Sequence, residues 1–226
     1  MARFSRVQVW STMEDLGLVP LFYHDDIRTS QKIVEALSRG GAKVIEFTNR
    51  GDRAFEVFRE LIVHVEKTDP GIVLGVGSVL DVATAGLYIN LGANFVVGSV
   101  LNPEVAKLCN RRKVVYCPGC ATPSEVSAAE ELGVEICKLF PGSQLGGPGF
   151  VKAIKAPCPW SKVMPTGGVS ATRENLKSWF DAGVTCVGIG SDLIRTEWLE
   201  TEDWEALSAL TSQCLAWIQE ARPEVV

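Results

Sequence analysis

Arg39-Gly40-Gly41-Ala42-Lys43-Val44-Ile45-Glu46-Phe47-Thr48-Asn49-Arg50 is the stretch on which the fold turns. The glycines read as the left-handed stop of a helix, and the apolar run after them reads as a short buried strand that ends in charge. On the N-terminal side, Thr29 to Ser38 places Ile33, Val34 and Leu37 on one helical face. On the C-terminal side, Arg53 to Glu66 does the same with Phe55, Phe58, Ile62 and Val65. A strand with no polar alternation, set between two amphipathic helices, belongs in a parallel sheet covered by helices.

The same unit recurs along the chain. Asn90-Leu91-Gly92-Ala93, Glu131-Leu132-Gly133-Val134 and Asp181-Ala182-Gly183-Val184 repeat the glycine stop before a strand. Strands are predicted at Leu18 to Tyr23, Lys43 to Phe47, Ile72 to Val76, Asn94 to Val97, Val114 to Tyr116, Glu135 to Phe140, Lys162 to Met164 and Thr185 to Ile189. Their starts lie 20 to 29 residues apart, room for a strand, a helix and two loops. Eight such units predict a (β/α)8 barrel, with an open doubly wound sheet as the second choice. Val7 to Leu16 adds a helix before the first strand, placed to cover the barrel floor, and Trp204 to Glu220 adds a closing helix. No break in composition divides the chain, so residues 1–226 are expected to form a single domain.

Composition bounds the function. With 46% hydrophobic and 22% charged residues and a net charge of -5, the chain reads as globular and offers no basic stripe for nucleic acid. It has no uninterrupted apolar run of the ~18 residues that a membrane span needs, nor a secretory signal at its N-terminus. A cytoplasmic protein is expected. Seven cysteines fit reduced thiols. Cys117-Pro118-Gly119-Cys120 has redox spacing, but its Pro-Gly reads as a turn off a strand and not as the helix start that lowers a thiol pKa. The two histidines, His24 and His64, have no partners at metal-ligand spacing, so no metal is expected. Gly75-Val76-Gly77-Ser78 lacks the third glycine of a dinucleotide fingerprint, so no cofactor is expected either.

In such barrels the reacting groups sit at the C-terminal strand ends. Glu46, Lys138 and the pair Gly167-Gly168 are all placed there. Read alone, Lys138 fits either an ammonium snorkelling to solvent or an amine made nucleophilic by a crowded mouth, where it would form a Schiff base. Glu46 fits either an ion pair with Arg50 or a general acid/base. Thr166-Gly167-Gly168 and Gly188-Ile189-Gly190-Ser191 follow the last two strands, where these barrels bind phosphate through backbone N–H groups. Gly146-Gly147-Pro148-Gly149 reads as turn material.

Taken together, Ile45-Glu46-Phe47-Thr48-Asn49-Arg50, Gly75 to Leu80, Cys117 to Pro123, Lys138-Leu139-Phe140-Pro141, Pro165-Thr166-Gly167-Gly168 and Gly190-Ser191 resemble the class I 2-keto-3-deoxy-6-phosphogluconate (KDPG) and 4-hydroxy-2-oxoglutarate (KHG) aldolases. The resemblance runs from about Leu18 to Ile194. It implies a homotrimer that cleaves a 2-keto-3-deoxy sugar acid to pyruvate and an aldehyde, with Lys138 as the Schiff-base lysine and Glu46 as the proton shuttle. It assigns Arg50, Ser78 and Thr166 to the keto-acid carboxylate end, and Gly167, Gly168, Gly190 and Ser191 to the phosphate. Two departures stand out. Ser78 replaces a common Thr, and Val97-Gly98-Ser99-Val100 lacks the family's Ser-Pro. The alternatives are a sugar-phosphate isomerase or epimerase on the same fold, and a non-catalytic barrel that binds a keto acid or sugar phosphate.

Overall fold

A computed structural model describes residues 2–222. After α1 (Arg6–Leu16) the chain alternates β1 (Leu18–Phe22), α2 (Ile27–Arg39), β2 (Val44–Thr48), α3 (Ala54–Thr68), β3 (Val73–Gly77), α4 (Val82–Leu91), β4 (Phe95–Val97) and α5 (Pro103–Arg112). It continues through β5 (Val115–Cys117), β6 (Gly119–Cys120), α6 (Pro123–Glu131), β7 (Cys137–Leu139), α7 (Pro148–Lys155), β8 (Val163–Pro165), α8 (Arg173–Phe180), β9 (Val187–Ile189), α9 (Thr196–Glu200) and α10 (Trp204–Ala221).

Every strand pair is parallel. Six strands run β5-β4-β3-β2-β1-β9 and three run β6-β7-β8. The expected fifth strand, Val114 to Tyr116, is found as β5, and an unexpected two-residue strand, β6, follows Pro118, which has no N–H to continue the ladder. β5 pairs with β4, and β6, beyond Pro118, pairs with β7. Lys138 N–H donates to Pro118 O at 2.9 Å. On the other side a bridge between Thr166 and Gly188 and the bond from Thr185 N–H to Val163 O join β8 to β9, which closes the barrel.

The helix boundaries follow local chemistry. Asp26, Asp81, Asn102, Thr122, Thr172 and Asp203 accept backbone N–H groups at helix starts, each satisfying a donor that the helix leaves unpaired. Gly41, Gly92, Gly133 and Gly183 have φ between 79° and 110°, the left-handed stops expected of them.

Two apolar layers hold the barrel. Val19, Val44, Val73, Phe95, Val115, Ile136, Met164 and Cys186 fill its interior, and Val9 and Met13 of α1 close it from below as expected. Outward residues such as Phe47, Leu74 and Leu139 pack under the helices. Burying each side chain of this size stabilises by ~1.5–3 kcal/mol before entropy is counted.

Some boundaries differ from expectation. Glu135 and Ile136 precede β7 instead of opening it, α9 was not anticipated, and Pro148-Gly149 form the first turn of α7 with only Gly146-Gly147 left as turn. Cys117 faces the interior and Cys120 the helical layer, so the CxxC pair straddles the sheet and cannot serve as a dithiol site.

Candidate active site

Strand parity turns Glu46 of β2 inward, opposite the glycines of β3, where Glu46 pairs with Gly75 and Thr48 with Gly77. Only 1% of Glu46 is exposed, and neither carboxylate oxygen has a hydrogen-bond partner. Burial pushes the Glu46 carboxyl above its ordinary value, against the pull of the Lys138 and Arg50 charges. No ion pair joins Glu46 to Arg50, so the purely structural reading of Glu46 is set aside.

Lys138 occupies the middle of β7 between Gly119 of β6 and Met164 of β8. It is 6% exposed and does not snorkel to solvent. Its Nζ rests 5.0 Å from the centre of the Phe140 ring, a cation–π contact that leaves the amine without a carboxylate partner among the described residues. Beside it, the Cys117 thiol is pushed well up by burial, which keeps it an inert wall.

Above this pair opens a cavity of about 500 Å³ at the C-terminal strand ends. Arg50, Thr166, Gly167, Gly168, Gly190 and Ser191 line it, six of the nine residues singled out from sequence. Glu46 and Lys138 are more deeply buried, while Phe140, which carries the lysine contact, lines the cavity. Thr166 Oγ1 is buried without a partner, facing the space that Gly188 leaves free of a side chain. Arg50 is exposed and is the only cationic side chain on this wall among the described residues.

The glycine turn after β8 presents donors. Thr166 and Gly167 carbonyls accept from Gly142 N–H (2.9 Å) and Ser143 N–H (3.0 Å). In a trans peptide C=O and N–H point opposite ways, so the N–H groups of Gly167 and Gly168 are directed away from that loop. Gly167 (φ 86°) and Gly168 (φ 77°) are left-handed, a conformation that glycine adopts freely.

Ser78 directly follows β3 in a left-handed conformation, φ 60°, and is half-buried; like Glu46 and Lys138, it is not among the residues that line this cavity. The Gly98-Ser99 departure lies behind the lysine, since a methyl on Gly119 would overlap Ser99 O. His24 and His64 are elsewhere: His24 Nδ1 accepts from Asp26 N–H, and His64 sits 3.1 Å from Glu35. Sequence reasoning missed Asp192, Thr196 and Tyr23 on the cavity wall. For Asp192 the available signal was its place directly after Gly190-Ser191. Among the described residues no helix is long and apolar enough to cross a membrane.

Residues 9–210 match the family described as KDPG and KHG aldolase. The chain is 31% identical to a 2-dehydro-3-deoxy-phosphogluconate aldolase of Pseudomonas aeruginosa, over 84% of each chain. The 2-keto-3-deoxy-6-phosphogluconate aldolase of Zymomonas mobilis ZM4, solved with 3-phosphoglycerate, superposes with a TM-score of 0.80 at 28% identity, covering 94% of this chain and 97% of that one. A KDPG aldolase of Legionella pneumophila, in which pyruvate was captured as a covalent carbinolamine, shares the fold with a TM-score of 0.82 at 24% identity, over 91% and 97%.

Proposed function

The chain belongs to the KDPG and KHG aldolase family, whose members are pyruvate-dependent class I aldolases, and from that membership we propose the roles its own residues play. Lys138 is the nucleophile. Its amine adds to the C2 ketone of a 2-keto-3-deoxy sugar acid, and loss of water leaves a protonated imine. Removal of the C4 hydroxyl proton then breaks the C3–C4 bond. Its electron pair moves into the imine to give an enamine, and the aldehyde departs. Protonation at C3 and hydrolysis release pyruvate and return the free amine.

Glu46 carries the protons. Its buried carboxyl is held above its ordinary value, so it keeps a proton more readily than a carboxyl in water and can return one as well as take one. Arg50 offers a planar fork to the keto-acid carboxylate, and Thr166 Oγ1 supplies a hydroxyl there. Ser78 is assigned to the same end by resemblance. Gly167, Gly168, Gly190 and Ser191 take the distal phosphate. The substrate on this reading is 2-dehydro-3-deoxy-6-phosphogluconate or a close relative, yielding glyceraldehyde 3-phosphate or a similar aldehyde. On this reading the enzyme is a single-domain barrel, from the unbroken run of strand–helix units, a homotrimer, from the family resemblance, and cytoplasmic, from its reduced thiols and N-terminal sequence.

The observation that carries this reading is a buried lysine without a carboxylate partner sharing the barrel interior with a buried carboxylate whose oxygens accept no hydrogen bond, both among the described residues. Borohydride reduction in the presence of pyruvate tests it. A mass increase confined to the peptide bearing Lys138 is expected, and folded protein that traps no pyruvate there overturns the assignment.

A further inference from the structure

We propose that Asp192 is the positioning residue of the distal anion cradle: its carboxylate ties the turn after β8 to the loop after β9, so that two separate glycine stretches act as one site. This rests on the reading of the cavity given above and concerns a residue that reading does not use.

Asp192 Oδ2 accepts the N–H of Ala171 at 3.0 Å, across 21 residues of sequence. The turn between Gly167 and Ala171 is built on two left-handed glycines, which by themselves define no single conformation. Three sets of bonds fix it. Gly142 and Ser143 N–H groups hold its first carbonyls, and Asn175 Oδ1 takes Ser170 N–H at 2.8 Å. Those contacts secure the turn to the loop after β7 and to α8. Neither reaches Gly190 and Ser191. Beyond the Thr166–Gly188 bridge, the Asp192–Ala171 bond is the only hydrogen bond joining the two glycine loops among the described residues.

The chemistry makes the placement informative. Asp192 is the one carboxylate on a wall whose other polar groups are neutral apart from Arg50, and a negative charge beside an anion site opposes binding. What the carboxylate offers in return is a charge-assisted bond that holds the Ala171 N–H and, through it, the turn. An amide in its place keeps an acceptor oxygen and removes the repulsion.

The experiment compares Asp192→Ala and Asp192→Asn with the unaltered enzyme. Inorganic phosphate binding is measured by calorimetry, and KM and kcat are measured on 2-keto-3-deoxy-6-phosphogluconate. In Asp192→Ala both the phosphate Kd and KM should rise about tenfold, the size of one charge-assisted bond, with kcat changing far less. Asp192→Asn should restore both to the original values or below. Unchanged phosphate binding in Asp192→Ala overturns the proposal, as does an Asp192→Asn variant no better than Asp192→Ala, or a loss falling equally on kcat. If pyruvate trapping at Lys138 fails, the catalytic assignment falls, while the phosphate comparison still decides the role of Asp192.

Discussion

Gly77 leaves open the space that the Glu46 carboxylate fills: a methyl group built on Gly77 would overlap Glu46 Oε1. The acid can sit in the barrel interior only because the neighbouring strand ends in a residue with no side chain. Gly77→Ala should therefore displace Glu46, lowering kcat by ~10²–10⁴, the usual contribution of a positioned acid/base. The overpacking should also cost ~1–3 kcal/mol of stability. Steady-state kinetics with a parallel denaturant titration check both. A variant of full activity would remove Glu46 from the proton-transfer role.

Glu46→Gln keeps the shape and removes the ionisable group. Burial raises the native carboxyl above its ordinary 4.5, so the native state binds this proton more tightly than the unfolded chain does. Stability of the unaltered protein, relative to Glu46→Gln, is then greatest below that ordinary value and falls as pH rises through the raised one. Urea midpoints of the two proteins across acid to neutral pH should diverge in that direction, with Glu46→Gln the more stable at neutrality. Parallel curves would contradict a buried, charged carboxylate.

Arg50 reaches the cavity exposed and, among the described residues, without an ion pair, so its loss should leave the fold intact. Arg50→Ala should raise KM for the keto acid by roughly 10- to 100-fold, as expected of lost hydrogen bonds to a charged group worth ~1.5–3 kcal/mol. Arg50→Lys should recover only part of this, because a point charge cannot reproduce the fork. An Arg50→Ala enzyme with the original KM would place the carboxylate elsewhere.

The thiols should react in a fixed order. Six of the seven cysteines are buried, and Cys158 alone is half-buried. Burial pushes Cys109, Cys186 and Cys214 up to about 12, leaving little reactive thiolate. A maleimide at neutral pH should label Cys158 first and the rest only after denaturation, as read by intact mass. Rapid labelling of Cys117 or Cys120 would reopen the redox reading of that motif.

The repeating unit was legible because both its signals are local. Apolar runs and glycine stops depend on neighbours a few residues away, and Gly41, Gly92, Gly133 and Gly183 all behave as read. Glu46 and Lys138 were legible as strand-end charges in an apolar setting, although the structural and chemical readings of each stood side by side in the sequence, and burial is what now supports the chemical one. What escaped depends on contacts far along the chain. The N–H that Asp192 accepts comes from Ala171 on another loop, and no pattern within a window reports it. Pro118 was visible as a turn, yet the exchange of ladder partners there follows from which strands lie on each side. Ser78 carried the right side chain for the mouth, but no local pattern announces the left-handed backbone it adopts after β3.

The exchange at Pro118 also gives the barrel two arcs in place of one continuous ring. Glu46 is fixed to the six-stranded arc and Lys138 to the three-stranded one. The arcs meet at a proline bend on one side and at a narrow join around Thr166 and Gly188 on the other. The separation between acid and amine is thus set by the geometry of those two joins, and not by the ladder of either sheet alone.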